Sequence, residues 1–151
     1  MQKEERTQEI ENEIDRIESD LRGLRVELKD TERDLDKAQT EVDNFEMDED
    51  HYEDQYCEML NEDGYIIIGS LRFSPSDVLK EMDPTAYRLG LLDYVDGLDI
   101  DDDPDYERLK ENLQELEEDK ERTEELIEEL EEELEKLEEE LDDLQNETED
   151  N

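Results

Sequence analysis

Two long stretches of the chain carry apolar residues at alternating steps of four and three, the spacing of a helix that buries one narrow face against another helix. Almost every position off these faces is charged or polar, so neither helix is expected inside a globular core, and each needs a helical partner. The apolar members are Ile10, Ile14, Ile17, Leu21, Leu24, Leu28, Leu35, Ala38, Val42 and Phe45 in the first stretch, and Leu109, Leu113, Leu116, Ile127, Leu130, Leu134, Leu137, Leu141 and Leu144 in the second.

The first helix is predicted to span residues 5–60. Continuing the steps of four and three beyond Phe45 reaches one acidic position, Glu49, and then aromatic residues. A single acidic residue in the apolar face is tolerable, so the helix is expected to continue. Turn-forming residues at 61–64, ending in glycine, predict where it stops. The second helix is predicted to span residues 104–147, because an Asp-Pro pair supplies a capping side chain followed by a proline at the first helical position.

Residues 61–103 are predicted to form a small central module of two strands and two helices. Apolar runs at 65–68 and 71–73 flank a Gly-Ser pair, which indicates a β-hairpin. Ser-Pro and Asp-Pro pairs then predict short helices at 75–82 and 84–96. So small a module needs further support, and we expect it to pack on the end of the first helix. The expected contact positions are Tyr87, Leu91, Tyr94, Val95 and Leu98 in the module and Tyr52, Tyr56, Met59 and Leu60 on the first helix.

Together these elements predict a mainly α protein: a long antiparallel coiled-coil helical hairpin with a small central ββαα module. Connectivity favours pairing of the two long helices within one chain, because closing the hairpin is intramolecular. A parallel self-dimer of the first helix is less favourable, because the positions flanking its apolar face would bring mostly acidic or neutral side chains together.

The register of the hairpin follows from its polar members. One register brings Thr31, Lys120 and Thr123 into the same neighbourhood, and polar residues in an apolar face are a usual means of fixing register. A shift by one heptad, with Ala38 against Lys120, is also sterically possible. The facing pairs of the first register are Phe45 with Tyr106, Ala38 with Leu113, Leu24 with Ile127, and Ile10 with Leu141.

The charge of the chain is extreme: 57 Asp and Glu residues against 16 Lys and Arg give a formal net charge of −41. Such a charge destabilises a compact state by self-repulsion unless salt screens it. One interpretation is the acidic surface of a halophile protein. The other is charge as function, either mimicry of a nucleic-acid backbone or capture of a basic partner. Direct binding to nucleic acid or to an anionic membrane is not expected, because no Lys/Arg cluster is available to neutralise phosphates.

The sequence offers no constellation typical of an enzyme. It has one cysteine, Cys57, and one histidine, His51, too few for a disulfide, a cysteine-rich zinc site or a nucleophile–base pair. The acids at 99–103 alternate as in a calcium loop, but that loop requires glycine and glutamate where this chain has Pro104 and Lys110. No catalytic residue, cofactor or metal is therefore predicted.

No membrane association is expected either, because no apolar run approaches the ~20 residues of a membrane span. The N-terminal residues are too acidic and polar for a signal peptide. We therefore expect an intracellular protein, or a part of a particle assembled inside a cell.

About a third of the chain resembles a known sequence motif. The string YCEMLNEDGYIIIGSLRFSPSDVLKEMDPTAYRLGLLDYVDGL is similar to a motif in small, uncharacterised proteins of tailed viruses and their hosts. The shared elements are E-M-L, an apolar hairpin, S-P-S, and D-P-x-A-Y-R-x-G-x-x-D-Y. The resemblance implies a viral or proviral origin and carries no biochemical activity. With the acidity, it indicates a virus or provirus of halophilic archaea.

The helix–β–helix layout also looks like a prefoldin subunit. Prefoldin-type hairpins lack the two proline-capped helices, and their client-binding helix tips are not matched here. That similarity is therefore set aside.

The most specific local pattern is a set of arginines, tyrosines and one acid in the central module. In one interpretation Tyr87 and Tyr94 belong to the core. Arg88 then forms an ion pair with a nearby carboxylate, and this ion pair holds the two short helices together. In the other, the set forms a partner-binding patch, since arginine and tyrosine are the usual anchors of protein interfaces. The candidate partner-binding residues are Arg72, Tyr87, Arg88, Asp93 and Tyr94.

The function predicted from these features is that of a non-enzymatic coiled-coil structural or adaptor protein of a halophilic virus or provirus. It would act through protein–protein interaction or self-association, by way of the coiled-coil face or the central module, in the host cytoplasm or in the virion. The alternative is an acidic decoy that mimics nucleic acid and inhibits a DNA-binding or defence protein of the host.

Overall fold

The computed structural model describes residues 2–149, and the chain is mainly helical with one small antiparallel sheet. It divides into two compact units. The arm unit consists of α1 and the part of α5 from residue 109 onward, and the central unit spans residues 44–108. The elements in chain order are α1 (Gln2–Asp43), α2 (Glu49–Leu60), β1 (Ile66–Ile68), β2 (Leu71–Phe73), α3 (Pro75–Met82), α4 (Pro84–Asp96), a 3₁₀ turn (Ile100–Asp102) and α5 (Pro104–Glu149).

The apolar faces predicted for the two long helices are the least exposed positions of the arm unit. Their burial recurs in steps of four and three along both α1 and α5, because only one stripe of each helix is apolar. The buried cluster is Ile10, Ile17, Leu21, Ile127 and Leu137, with Ile14, Leu24, Leu28, Leu130, Leu134, Leu141 and Leu144 packed against it.

Two of the polar residues on these faces have partners within their own helices. The Thr31 hydroxyl donates to the carbonyl oxygen of Glu27 at 3.0 Å. Lys120 is half-buried and its ammonium group lies 3.9 Å from the Glu124 carboxylate, one turn along α5. Thr31 and Lys120 therefore lie on the predicted faces at little cost. The third polar residue, Thr123, is buried.

Three ion pairs join α1 to α5. Lys3 lies 3.7 Å from Glu147, the Arg6 guanidinium donates to Glu140 at 2.8 Å, and Arg25 lies 3.1 Å from Glu131. All six side chains are at least one-third exposed, so their pairing adds little free energy compared with the apolar faces.

The single helix expected over residues 5–60 is wrong, because α1 ends at Asp43 and α2 begins at Glu49. The break comes where the apolar spacing meets an acidic position. Asp48 then caps α2, its carboxylate accepting a hydrogen bond from the Asp50 N–H at 3.0 Å. Phe45, in the segment between α1 and α2, packs on Tyr106 with ring centroids 5.3 Å apart, which confirms the predicted Phe45–Tyr106 pair.

The central unit contains the predicted hairpin and both short helices at the predicted bounds. Gly69 occupies the hairpin turn at φ 63°, a left-handed conformation that glycine adopts without strain. Asp83 caps α4, accepting from the Ala86 N–H at 3.0 Å. Asn61, just after α2, holds the start of α3: its side chain accepts from the Ser76 N–H at 2.9 Å and donates to the Ser76 hydroxyl at 3.0 Å.

The core of the central unit is aromatic. α2 packs against the short helices as predicted through Tyr52, Tyr56 and Leu60, which lie at steps of four on one face. The predicted contact of Met59 is wrong, since this residue falls beside that face and is exposed. The buried residues are Tyr56, Tyr87, Leu91 and Val95, with Met47, Tyr52, Cys57, Leu60, Leu79 and Tyr94 packed against them.

Candidate functional site

Three tyrosines meet at the centre of the central unit. The Tyr56 ring lies edge-on to Tyr87, with centroids 5.3 Å apart, and 5.8 Å from the Tyr94 ring. Such tilted aromatic pairs add to the free energy gained from burial alone.

Gly90 makes this arrangement possible. A Cβ atom at position 90 would overlap the Tyr56 phenol oxygen and lie 3.1 Å from the ring carbon that bears it. The glycine therefore admits the Tyr56 ring against the backbone of α4. Sequence reasoning missed this contact, although an isolated glycine inside a helical pattern is a known indication of close packing.

The Tyr87 hydroxyl is held by two polar side chains of α2. It donates to the Glu53 carboxylate at 2.7 Å and lies 3.2 Å from the Cys57 sulfur. Burial raises the pKa of Tyr87, and the contacts with Cys57 and Glu53 add to that effect. The Tyr87 hydroxyl in turn lowers the pKa of Glu53. Lys80 on α3 lies 3.5 Å from the Glu53 carboxylate, so this network connects α2, α3 and α4.

A second polar contact joins α2 to the start of α5. The Tyr52 hydroxyl donates to the Asp103 carboxylate at 2.5 Å, and the same carboxylate accepts from the backbone N–H groups of Asp105 and Tyr106 at 2.8 and 3.2 Å. Burial alone raises the pKa of Asp103, but these donors together with His51 outweigh it and hold that pKa below its ordinary value. The same hydrogen bond, with burial, raises the pKa of Tyr52 to about 12.

Both networks of hydrogen bonds hold parts of the fold together. Every buried side-chain N or O atom among the described residues has a hydrogen-bond partner. A buried polar group with all its bonds made holds its neighbours in one arrangement.

The five candidate partner-binding residues do not form one patch. Tyr87 is buried and Tyr94 is half-buried against Tyr56, which agrees with the interpretation of both as core residues. Asp93 and the two arginines are exposed. Among the side chains that the structure describes, none forms an ion pair with Arg88, so the predicted ion pair that pins the short helices is wrong. Arg72 lies on β2, paired with Ile67.

The hairpin is an exposed apolar surface of the central unit. All six residues of its two strands are exposed. The pairings Ile66 with Phe73 and Ile68 with Leu71 put these four side chains on one side of the sheet, and Ile67 and Arg72 on the other. We call Ile66, Ile68, Leu71 and Phe73 the hairpin face. Their exposed fractions are 40%, 63%, 58% and 38%, respectively.

The hairpin face opens into a groove of about 310 Å³ along α3. Its walls include Ile68, Phe73 and Val78 together with Met82, which is 82% exposed. Asp77 and Glu81 complete the lining. Sequence reasoning predicted the strands but not their exposure.

A second groove, of about 420 Å³, has a different chemistry. Its apolar wall includes Met47, Leu92 and Leu98, and three acids, Glu46, Glu49 and Asp96, also line it. An apolar partner entering this groove meets three acids, whereas the four side chains of the hairpin face are apolar and two acids, Asp77 and Glu81, line the groove beside them.

Among the side chains that the structure describes, no group of three His, Cys, Asp or Glu residues is arranged to hold a metal ion. In the same residues, no helix has both the length and the apolar character required to cross a membrane. Comparison with known proteins gives no match to any family model, curated protein or solved structure.

Proposed function

We propose that this protein is a non-enzymatic structural or adaptor protein in which α1 and α5 form a long antiparallel coiled-coil hairpin that carries a protein-binding central unit. The observation that carries the proposal is the burial pattern of the arm unit. Residues are buried in steps of four and three on both helices, as expected of two helices packed along one continuous face. Ion pairs of Arg6, near the start of α1, and of Arg25, further along it, support the same arrangement.

The dimensions of the arms suit a spacer. α1 has 42 residues, which at ~1.5 Å per residue corresponds to roughly 60 Å. Outside its apolar face this helix is almost entirely charged or polar, so the arms offer few places for a further apolar contact. The exposed hairpin face supplies such a place in the central unit.

A binding role agrees with how the reactive side chains are used. The lone cysteine contacts the Tyr87 hydroxyl, and the lone histidine lies 3.6 Å from both Asp48 and Asp105. Each belongs to a contact that supports the fold.

A halophilic virus or provirus is the proposed origin. The motif resemblance of residues 56–98 supports the viral part, and the net charge of −41 supports the halophilic part. Because acids face solvent along both arms, molar salt would relieve their mutual repulsion.

The same exposed acids support the alternative, a decoy that mimics nucleic acid. Exposed acidic side chains recur along α5 outside its apolar face, so it presents a dense negative surface to a basic protein. Binding of this kind would be electrostatic and would weaken steeply as salt rises.

Salt separates the two roles. The tagged full-length chain is used to capture proteins from a host lysate at about 0.1 M and at about 2 M KCl, where the Debye length falls from ~10 Å to under 3 Å. The adaptor role predicts specific partners that stay bound at the higher salt. Capture of basic proteins alone, lost at the higher salt, would contradict it and favour the decoy.

A further inference from the structure

We infer that the hairpin face is a self-association surface, and that its occupant is the hairpin face of a second copy of this chain. The inference rests on the proposed structural role, since it names one partner for the central unit. It commits to contact between the faces formed by Ile66, Ile68, Leu71 and Phe73, with Met82 at the edge of the contact.

The absence of acidic residues from the hairpin favours a second copy of this chain as the occupant. Residues 64–76 contain no Asp or Glu and one arginine, Arg72, in a chain with 57 acidic residues. Two copies of a chain with a net charge of −41 repel each other over most of their surfaces. The two strands bring no carboxylate of their own to such a contact, and molar salt screens Asp77 and Glu81, which line the adjoining groove. Arg72 lies on the opposite side of the sheet, so face-to-face contact does not bury its charge.

The exposed area is sufficient for a dimer. At roughly 200 Å² for each large apolar residue, the exposed fractions of the hairpin face and Met82 amount to about 550 Å². That is near the upper end for the largest apolar patch of a monomeric protein. Two such surfaces in contact bury about 1,100 Å², which passes the ~1,000 Å² expected of a specific interface.

The chain offers a matched pair of substitutions. Ile68 and Ile67 are adjacent isoleucines of β1, with exposed fractions of 63% and 66%, and they point to opposite sides of the sheet. Ile68→Ser removes part of the proposed contact and Ile67→Ser does not. Because both side chains are mostly exposed, neither change empties the core, and circular dichroism checks that both variants stay folded.

The test is analytical ultracentrifugation of the full-length chain at about 2 M KCl, where charge repulsion is screened. We expect a concentration-dependent species of twice 18.1 kDa. Ile68→Ser combined with Leu71→Ser should weaken dimerisation at least tenfold, and Ile67→Ser less than twofold. A folded wild-type chain that stays monomeric up to ~100 μM, or equal losses for both isoleucines, would overturn the inference.

A second measurement places the contact directly. With Cys57→Ser as background, Leu71→Cys should form a disulfide between copies under mild oxidation, and Ile67→Cys should not. Equal cross-linking at both positions would contradict face-to-face contact. A monomer that floats with phosphatidylcholine vesicles and loses that binding on Ile68→Ser would identify a lipid surface as the occupant instead.

These outcomes are separate from those of the proposed function. A chain that is monomeric but retains protein partners at high salt overturns self-association and leaves the adaptor role in place. A chain that dimerises through the hairpin face but captures only basic proteins at low salt overturns the adaptor role and leaves self-association in place.

Discussion

The arm unit and the central unit bury their apolar residues in opposite ways. The arms repeat one contact many times, with aliphatic side chains such as Ile10, Ile17 and Leu21 in a narrow stripe. The central unit concentrates a few unlike contacts around Tyr56 and Tyr87, with hydroxyl groups held by named partners. A single substitution in the stripe leaves many equivalent contacts intact. A substitution in the small core removes a contact or hydrogen bond that no other residue provides.

The two units can be followed separately in one sample. All six tyrosines and both phenylalanines lie in residues 44–108, so near-ultraviolet circular dichroism reports the central unit. Far-ultraviolet circular dichroism is dominated by the long helices α1 and α5. Differences between these two signals are therefore differences between the two units.

The largest effect is expected from Tyr87→Ala. Removing this buried ring leaves a cavity among Tyr56, Leu91 and Val95 and should lower the free energy of unfolding of the central unit by about 3–5 kcal/mol. Tyr87→Phe is the control: it keeps the ring but leaves Glu53 without its hydroxyl donor, and should cost about 1–2 kcal/mol. Urea unfolding followed in the near-ultraviolet measures both. A change within ~0.5 kcal/mol for Tyr87→Ala would mean a surface residue.

Glycine-to-alanine substitutions should have opposite signs in the two units. Gly90→Ala forces a methyl group into the Tyr56 phenol and should destabilise the central unit by about 1–3 kcal/mol. At Gly23 on α1 a methyl group meets nothing within 4 Å, so Gly23→Ala should stabilise the arms by up to about 1 kcal/mol. Thermal unfolding of both variants tests the pair. Stabilisation by Gly90→Ala would contradict the close approach of Tyr56 to α4.

Alkaline pH should weaken the central unit through Tyr52. The hydrogen bond to Asp103 and burial raise the pKa of Tyr52 from 10.0 to about 12. A group whose pKa is higher in the folded chain contributes stability that is complete below pH 10 and is lost as the pH approaches 12. The advantage of the wild type over Tyr52→Phe should therefore shrink across this range. An advantage that stays constant from pH 9 to about pH 12 would show that the hydroxyl does not depend on Asp103.

The smallest effect is expected from the ion pairs of the arms. Arg25 and Glu131 are both about half exposed, so Arg25→Ala should change stability by less than ~1 kcal/mol, and by less still in molar salt. Urea unfolding followed at 222 nm measures it. A loss comparable to that of Tyr87→Ala would mean that the arms depend on specific contacts as the central unit does.

The sequence predicts the repetitive parts of the fold better than the singular ones. The apolar spacing of α1 and α5 repeats many times, so it identifies both helices despite single exceptions. A proline with a preceding serine or aspartate marks the starts of α3 and α4. The break at residues 44–48 carries neither glycine nor proline. The features found there are the Asp48 cap and the contact of Phe45 with Tyr106, which is distant in sequence.

The candidate site follows the same division. Tyr87 and Tyr94 are recognisable as core residues because they fall on the apolar side of a short helix. The contact of Gly90 with Tyr56 was not predicted, because it depends on how α2 meets α4. The exposed hairpin face was not predicted either, since apolar strands look alike in sequence whether a sheet covers them or leaves them open.

Pulsed electron-electron spin resonance on the arms tests the central claim most directly. With Cys57→Ser as background, labels at Asn12→Cys and Glu139→Cys are predicted to lie within ~20 Å of each other, since packed helices have axes 8–10 Å apart. Moving the second label to Glu111→Cys should lengthen the distance to about 40 Å, for 28 residues at ~1.5 Å each. No short distance in the first pair, or a short distance between chains labelled at residue 12 alone, would contradict the antiparallel hairpin.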